Sequence, residues 1–237
     1  MEPIANEASL RYTAWVRANR EKVAKATDGR IAYIHVPNTA LQGIQEFSKG
    51  YYPQVDRQGI IVDERFNGGG FIPDFFVERL WRKTWVMWTS RDGEGFRTPQ
   101  TGIDGPKCIL INEYAGSGGD AFPFYFKQQG VGPIIGKRTW GGLVHTADTP
   151  GFVDGGSMIA PRGGFFRRDN QWDVENVGTP PDIDVENWPK EVAAGHDAQL
   201  ERAVQEALRQ LAAKPVQRAT TEPPSPTWGK RIKPITP

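Results

Sequence analysis

The segment Asn112-Glu-Tyr-Ala-Gly-Ser-Gly-Gly-Asp-Ala-Phe-Pro123 decides the fold, because it joins an apolar strand to an apolar amphipathic run through a glycine turn. Cys108–Asn112 is typical of a buried strand, and Asp120–Gln129 is typical of a helix that carries aromatic side chains. We therefore predict that Ser117 lies at a strand-to-helix corner. The free N–H groups at the start of that helix would face any anion that approached the serine.

Two interpretations of Ser117 follow from this segment alone. A serine hydroxyl becomes a nucleophile when the backbone presents it tightly and nearby amides receive an oxyanion. In the other interpretation, Gly116–Gly119 is only a tight turn in which Ser117 caps the helix. The segment by itself favours neither.

A second glycine cluster, Gly68–Gly70, follows another buried strand, Gln58–Asp63, and precedes a helix predicted from Pro73 to about Thr84. Two such units in one sheet place both turns at the carboxyl ends of the strands, where open α/β sheets build their sites. A loop that merely needs positive φ is the alternative. A phosphate cradle is disfavoured, because no Lys-Ser or Lys-Thr follows the glycines.

Four ordered motifs carry a resemblance to a known family. They are Ile-Val-Asp-Glu-Arg-Phe-Asn-Gly-Gly-Gly-Phe71, Asn-Glu-Tyr-Ala-Gly-Ser-Gly-Gly-Asp120, Gly-Lys-Arg-Thr-Trp-Gly-Gly142 and Val-Glu-Asn-Val-Gly-Thr-Pro-Pro-Asp-Ile183. Together they resemble the tail-specific-protease core of the S41 serine peptidases, of the tricorn type, from roughly Ser9 to Leu211. The resemblance implies an α/β fold with a crotonase/ClpP-like core of stacked β-β-α units.

The resemblance also implies a serine-type endopeptidase that hydrolyses peptide bonds through an acyl-enzyme on Ser117. Gly70 and Gly118 match the positions whose amides form the family's oxyanion hole. Glu175 matches the carboxylate that orients the catalytic histidine through a bridging serine. Acyl transfer needs such a nucleophile, two amide donors and a base held in one tautomer. No cofactor and no metal site are implied.

The general base is where the chain departs from the pattern. Related processing peptidases use a lysine in the segment that here reads Thr139–Leu143, and this segment contains no lysine. Tricorn-type enzymes use a histidine on a helical domain that precedes a PDZ domain and this core. We therefore expect a C-terminal fragment or short relative of a tricorn-like protease, whose upstream helical and PDZ domains would be partners of the core. The isolated chain should react slowly or not at all with serine-directed reagents.

Three histidines are substitutes to consider for the missing base. We expect His35, in a strand, to be structural, and His196 to be a surface or capping residue. His145 follows the Trp-Gly-Gly142 turn, close to where the related lysine would project, and its role stays open. Asp120 is expected to support the first turn of its helix through the helix dipole.

Substrate preference is poorly determined by the sequence. Some tricorn-type enzymes favour basic side chains through acidic pocket residues, yet Gly118 replaces an acidic residue and Met87–Ser90 contains no acid. A basic preference is therefore doubtful. Trp81, Trp85 and Trp88 recur near helical spacing, which favours core packing over a pocket-lining role.

Composition agrees with one globular core. The chain has 237 residues, 38% hydrophobic composition and a net charge of +1, which gives no argument for nucleic acid or membrane partners. Its single cysteine, Cys108, rules out an internal disulfide. No signal peptide or membrane span is visible, which favours a cytoplasmic location unless the chain is a fragment of a secreted or periplasmic parent.

The sequence divides into a helical lead-in over residues 1–30, a catalytic core over residues 31–213 and a Pro-rich, disordered tail over residues 214–237. Thr89–Pro106 is predicted to be a loop that covers the site or contacts another subunit. The expected partners are a peptide or unfolded protein substrate and further copies of the chain in a homo-oligomer.

Later in the core, the sequence predicts strands near Ile134, Leu143 and Met158, followed by a closing helix over Asp197–Ala213. Two other function classes stay open. One is a non-catalytic peptide-binding or assembly module that has the fold without a base. The other is an acyl-CoA enzyme of the crotonase type, against which the serine turn and the Glu-Asn-Val-Gly178 segment argue.

Overall fold

The computed structural model describes residues 5–90, 95–146, 149–217 and 223–224. In chain order the elements are α1 (Ala8–Ala26), β1 (Ile31–His35), α2 (Leu41–Tyr51), β2 (Gly59–Asp63), α3 (Pro73–Trp81), β3 (Val86–Trp88), β4 (Phe96–Thr98), β5 (Lys107–Ile111), α4 (Gly118–Gln128), β6 (Ile134–Gly136), β7 (Ile183–Asp184), α5 (Pro189–Ala193) and α6 (Ala198–Ala213). The predicted α/β class is confirmed.

Five strands form a parallel sheet in the order β1-β2-β5-β6-β7, and β3 and β4 pair antiparallel as a separate two-stranded sheet. Val62 of β2 lies between Ile34 of β1 and Ile109 of β5. Strands β1, β2 and β5 are buried at every position, because helices cover both faces of the sheet. This burial explains why the sequences of these strands are continuous apolar runs rather than alternating apolar and polar residues.

Each face of the sheet has its own apolar layer. On one face, Phe47, Phe76 and Phe122 from α2, α3 and α4 pack against the sheet. On the other, Val23 of α1 and Leu200 of α6 pack against it, together with further residues of α6. In this three-layer arrangement helices cover both faces of the sheet, and the loops after β2 and β5 lie at its carboxyl edge.

A buried arginine fixes the loop after β2. Arg65 pairs with Asp63 at 2.7 Å and with Asp197, at the start of α6, at 2.8 Å. Burial alone would raise the pKa of Asp197, but Arg65 and several hydrogen bonds hold that pKa below its ordinary value. The glycine cluster that follows Arg65 is therefore attached to the rigid body of the fold.

The strands predicted near Leu143 and Met158 are wrong. Between Gly141 and β7, the described residues contain only two isolated bridges, His145 with Gly163 and Phe166 with Trp172. Met158 is 58% exposed, so its side chain has no apolar layer to pack against. The glycines that recur here keep the chain irregular.

The stretch Thr89–Pro106 is also not only a loop, because it contains β4, which pairs with β3. Trp81, Trp85 and Trp88 are 57%, 78% and 53% exposed, so the core-packing prediction for them is wrong. Their apparent helical spacing has no structural meaning, since α3 ends at Trp81 and Trp88 belongs to a strand.

Most of the predicted disordered tail, at 218–222 and 225–237, lies outside the described residues. Within the part of the chain that the structure describes, no helix is both long and apolar enough to cross a bilayer.

Candidate active site

Ser117 adopts a backbone conformation that serine rarely takes. It lies immediately before α4 with φ 57° and ψ −119°, and its hydroxyl makes no capping hydrogen bond. Such conformations cost of order 1–3 kcal/mol and persist only where the surroundings impose them. The interpretation in which the Ser117 side chain caps the helix is therefore wrong.

The glycine cluster after β2 packs directly on the serine turn. A Cβ atom built on Gly69 would lie 2.7 Å from the Cβ atom of Ser117 and 3.0 Å from the carbonyl oxygen of Gly116. The N–H group of Gly116 donates to the carbonyl oxygen of Asn67 at 3.1 Å. Glycine is required at position 69 because its φ is +83° and no side chain fits.

Gly70 and Gly118 approach each other just as closely. A Cβ atom built on Gly118 would lie 2.3 Å from the carbonyl oxygen of Gly70 and 2.8 Å from its amide nitrogen. Among the residues that the structure describes, neither the N–H group of Gly70 nor that of Gly118 donates a hydrogen bond. Two unused amide donors therefore lie together beside Ser117.

Sequence reasoning missed Thr39, in the loop after β1. Its hydroxyl oxygen would lie 2.0 Å from a Cβ atom on Gly118, and its carbonyl oxygen 2.3 Å from a Cβ atom on Gly70. The hydroxyl is buried and has no hydrogen-bond partner within the described part of the chain. A lone polar residue in a loop carries no pattern that would have predicted this contact.

Asp120 joins the serine turn to the Trp140–Gly142 segment. Its carboxylate accepts hydrogen bonds from the N–H groups of Gly141 at 2.7 Å and Gly142 at 3.2 Å. Burial raises the pKa of Asp120, while these bonds and the Thr139 hydroxyl oppose the rise. Asp120 does lie in the first turn of α4, but its carboxylate is used to fix a neighbouring loop.

Glu175 binds Leu143, the residue that follows the Trp140–Gly142 segment. One carboxylate oxygen accepts a hydrogen bond from the N–H group of Leu143 at 2.5 Å. Glu175 is partly buried and makes no hydrogen bond with Ser117 among the described residues. The structure therefore brings Glu175 next to the segment that borders the serine turn, with no hydrogen bond between Glu175 and Ser117 among the described residues.

The three histidines occupy different environments. His35 is buried, with Nδ1 2.9 Å from the Tyr12 hydroxyl and Nε2 2.9 Å from the carbonyl oxygen of Arg65. Burial lowers the pKa of His35, although Asp63 opposes the shift. His145 is exposed and packs edge-on against Phe71.

His196 is exposed, with Nδ1 3.5 Å from Glu201. Both nitrogens of His35 are engaged, which agrees with the structural role predicted for it. His145 lies beside Phe71, which directly follows Gly70, so it is the histidine that the structure links to the glycine loop.

Glu64 is a buried carboxyl group beneath this edge of the sheet. Both of its carboxyl oxygens are buried without a hydrogen-bond partner among the described residues. Burial raises the pKa of Glu64 well above its ordinary value, and the negative charges of Asp120 and Asp63 raise it further. Burial of Glu64 therefore favours the protonated, neutral form of its carboxyl group.

Comparison with known proteins places this geometry in a family. The model of the family described as "Peptidase family S41" matches residues 30–185. The chain belongs to peptidase family S41. The S41 domain thus contains the Gly68–Gly70 cluster, the Ser117 turn, the Trp140–Gly142 segment and Glu175.

The similar proteins are of the tricorn type. The tricorn protease of Thermoplasma volcanium is 38% identical over 211 residues, which cover 89% of this chain and 20% of that protein. Tricorn protease homolog 1 of Streptomyces coelicolor is 37% identical, with 94% and 21% covered. The crystal structure of the tricorn protease matches with a TM-score of 0.84 at 37% identity, over 88% of this chain and 20% of the other. The S41 chain thus spans about a fifth of the length of these relatives.

Proposed function

We propose that this S41 chain is the core of a serine-type endopeptidase in which Ser117 forms the acyl-enzyme. The observation that carries the proposal is the strained, uncapped Ser117 beside two amides that have no acceptor among the described residues. A buried donor without a partner costs free energy, so such groups are expected where a ligand supplies the missing acceptor. A developing oxyanion is such an acceptor.

In the proposed reaction, Ser117 Oγ attacks the carbonyl carbon of the peptide bond and its proton passes to a base. The carbonyl oxygen becomes an oxyanion that accepts hydrogen bonds from the N–H groups of Gly70 and Gly118. The C–N bond then breaks as the base protonates the leaving amine. Water attacks the acyl-enzyme in the second half of the reaction, which releases the carboxylate and restores the serine.

The base is proposed to come from a part of the parent protein that this chain does not include. The chain spans about a fifth of its relatives, and Lys residues are absent from Thr139–Leu143. Glu175, which already binds the Leu143 amide, is proposed to orient that base with its second carboxylate oxygen. The alternative function, a peptide-binding or assembly module, is favoured by the lack of an assigned base and predicts an inert Ser117.

Labelling with a biotinylated fluorophosphonate tests the nucleophile. Attack by Ser117 forms an O–P bond and releases fluoride, while the proton goes to a base. We expect slow labelling of the chain alone, faster labelling with added imidazole, and none in Ser117→Ala. Residual catalysis of roughly 10³–10⁴-fold over water survives in triad enzymes that lack one member.

His145→Ala serves as the control for a base inside the chain. We expect it to label at the wild-type rate. Rapid stoichiometric labelling that His145→Ala abolishes would instead make His145 the base. A Ser117 that stays unlabelled at high imidazole concentration, in a folded protein, would favour the non-catalytic module.

The Glu175→Gln variant tests whether Glu175 orients the catalytic base or only supports the local structure. The glutamine amide oxygen can still accept from the Leu143 N–H group, so we expect little change in the free energy of unfolding. In the full-length enzyme that carries the base, we expect kcat to fall by about 10²–10⁴-fold, because the imidazolium loses its counter-charge. Unchanged kcat, or loss of stability with intact specific activity, would assign Glu175 to structure alone.

The β3–β4 hairpin is the proposed contact between copies of the chain. Trp85, Met87, Trp88 and Phe96 are all about half exposed or more, and the rings of Trp88 and Phe96 stack at 5.9 Å. Exposed apolar surface of this kind marks interaction sites. We expect light scattering to show a homo-oligomer that Trp88→Ser weakens. A wild-type chain that is monomeric at high concentration would contradict this prediction.

A further inference from the structure

Two exposed aromatic side chains belong to the two loops that pack on the Ser117 turn. Phe71 directly follows Gly70 and is 77% exposed. Trp140 packs on Gly116, the residue before Ser117, and is 65% exposed. Neither ring belongs to the apolar layers that hold the sheet to its helices.

The indole of Trp140 packs on glycine backbone although most of the side chain faces solvent. A Cβ atom on Gly116 would lie 2.6 Å from the ring, and one on Gly142 would lie 2.3 Å from it. The backbone N–H group of Trp140 donates to the carbonyl oxygen of Ala115 at 2.9 Å. Since the next two amides are bound by Asp120, the backbone on both sides of the ring is fixed.

An exposed aromatic ring that packs on fixed backbone is well suited to binding. It offers a large apolar area, and little side-chain freedom is lost when a ligand covers it. Asp120, which binds the N–H groups of Gly141 and Gly142, is fully buried, so its charge is not presented beside the indole. The exposed side chain that packs on the residue before Ser117 is the Trp140 ring.

We propose that Trp140 is a specificity-determining residue that binds an apolar or aromatic side chain of the peptide, next to the bond that Ser117 attacks. The inference rests on the proposed function. The substrate side chain covers the open face of the Trp140 indole. Aromatic pairs contribute about 0.5–1.5 kcal/mol beyond the area that they bury.

Peptide binding to Ser117→Ala, which prevents turnover, tests this inference. Fluorescently labelled hexapeptides that differ only in one central residue, Phe, Leu, Lys or Asp, would be compared by anisotropy. We expect the Phe and Leu peptides to bind about tenfold more tightly than the Lys and Asp peptides. Adding Trp140→Ala should remove this difference, and Trp140→Phe should keep most of it.

Trp172→Ala is the matched control. Trp172 is also exposed, at 76%, and also packs on a glycine, Gly164, but it lies on neither loop beside Ser117. We expect this variant to bind the four peptides as the parent does. Thermal unfolding of each variant would show whether it is folded, and Trp140→Phe preserves the test if Trp140→Ala is not.

Three results would overturn the inference: equal affinities in the Trp140 variants and the parent, tightest binding of the Lys peptide, or no binding of any peptide at millimolar concentration. Fluorophosphonate labelling of Ser117 in the wild-type chain tests the proposed function independently of the peptide-binding measurement. If the serine labels, the proposed function survives the failure of the specificity assignment. If it does not label, the proposed function fails as well.

Discussion

Gly70→Ala is expected to slow the reaction of Ser117 by about 10²–10³-fold, the usual effect of losing one oxyanion donor. The φ of Gly70 is +138°, and an added Cβ atom would lie 2.3 Å from the backbone oxygen of Thr39. Backbone atoms cannot move aside as a flexible side chain does. The glycine loop must therefore shift, and the Gly70 N–H group must move away from Ser117. The measurement is the second-order rate constant of fluorophosphonate labelling with imidazole present.

Gly68→Ala provides a control within the same glycine cluster. A Cβ atom on Gly68 would have its nearest neighbour 3.9 Å away, at the carbonyl oxygen of Pro37. That distance is ordinary van der Waals contact, so we expect labelling within about twofold of wild type and little loss of stability. A Gly70→Ala protein that is folded and labels as fast as Gly68→Ala would contradict the assignment of Gly70.

Glu64→Gln is expected to change how stability depends on pH. In the folded protein, burial and the nearby negative charges of Asp120 and Asp63 raise the pKa of Glu64 well above its ordinary value, so folding favours the protonated form. The unfolded chain releases that proton as the pH rises past about 4.5, so it binds fewer protons than the folded chain. The free energy of unfolding of the wild type therefore falls with rising pH, by up to about 1.4 kcal/mol per pH unit, until the folded pKa is reached.

Glutamine cannot release a proton, so this loss should be absent from Glu64→Gln. Urea unfolding at pH 5, 6, 7 and 8 would measure the effect as a variant-minus-wild-type difference that grows with pH. Glu113→Gln, at an exposed position in the turn before Ser117, is the control. Parallel curves for wild type and Glu64→Gln would show that Glu64 is not a buried neutral acid.

The central sheet and its two glycine turns could be predicted from the sequence, since both depend on local pattern. Lys107–Ile111 and Gly59–Asp63 are apolar runs of strand length, and the turns that follow them are rich in glycine. Parallel strands then place both turns at one edge of the sheet. The prediction that both turns lie at the carboxyl edge required only this topology, and the pairing of β2 with β5 in the structure brings the two turns together.

Other features depend on tertiary contacts that no local pattern encodes. Three loops must be brought together before it is visible that Ser117 makes no capping hydrogen bond. The same holds for the Thr39 hydroxyl, which has no hydrogen-bond partner among the described residues. Trp88 was misread because spacing cannot show that a helix ends seven residues earlier, at Trp81. The strand expected at Met158 failed because no apolar layer covers that position.

The roles assigned to Ser117, Gly70, Gly118 and Glu175 all depend on one nucleophile. The most direct test is peptide-mapping mass spectrometry of the folded chain after reaction with the fluorophosphonate in imidazole buffer. We predict one adduct per chain, located on Ser117 and absent from Ser117→Ala. No adduct, or adducts spread over other serines and retained in Ser117→Ala, would contradict the account.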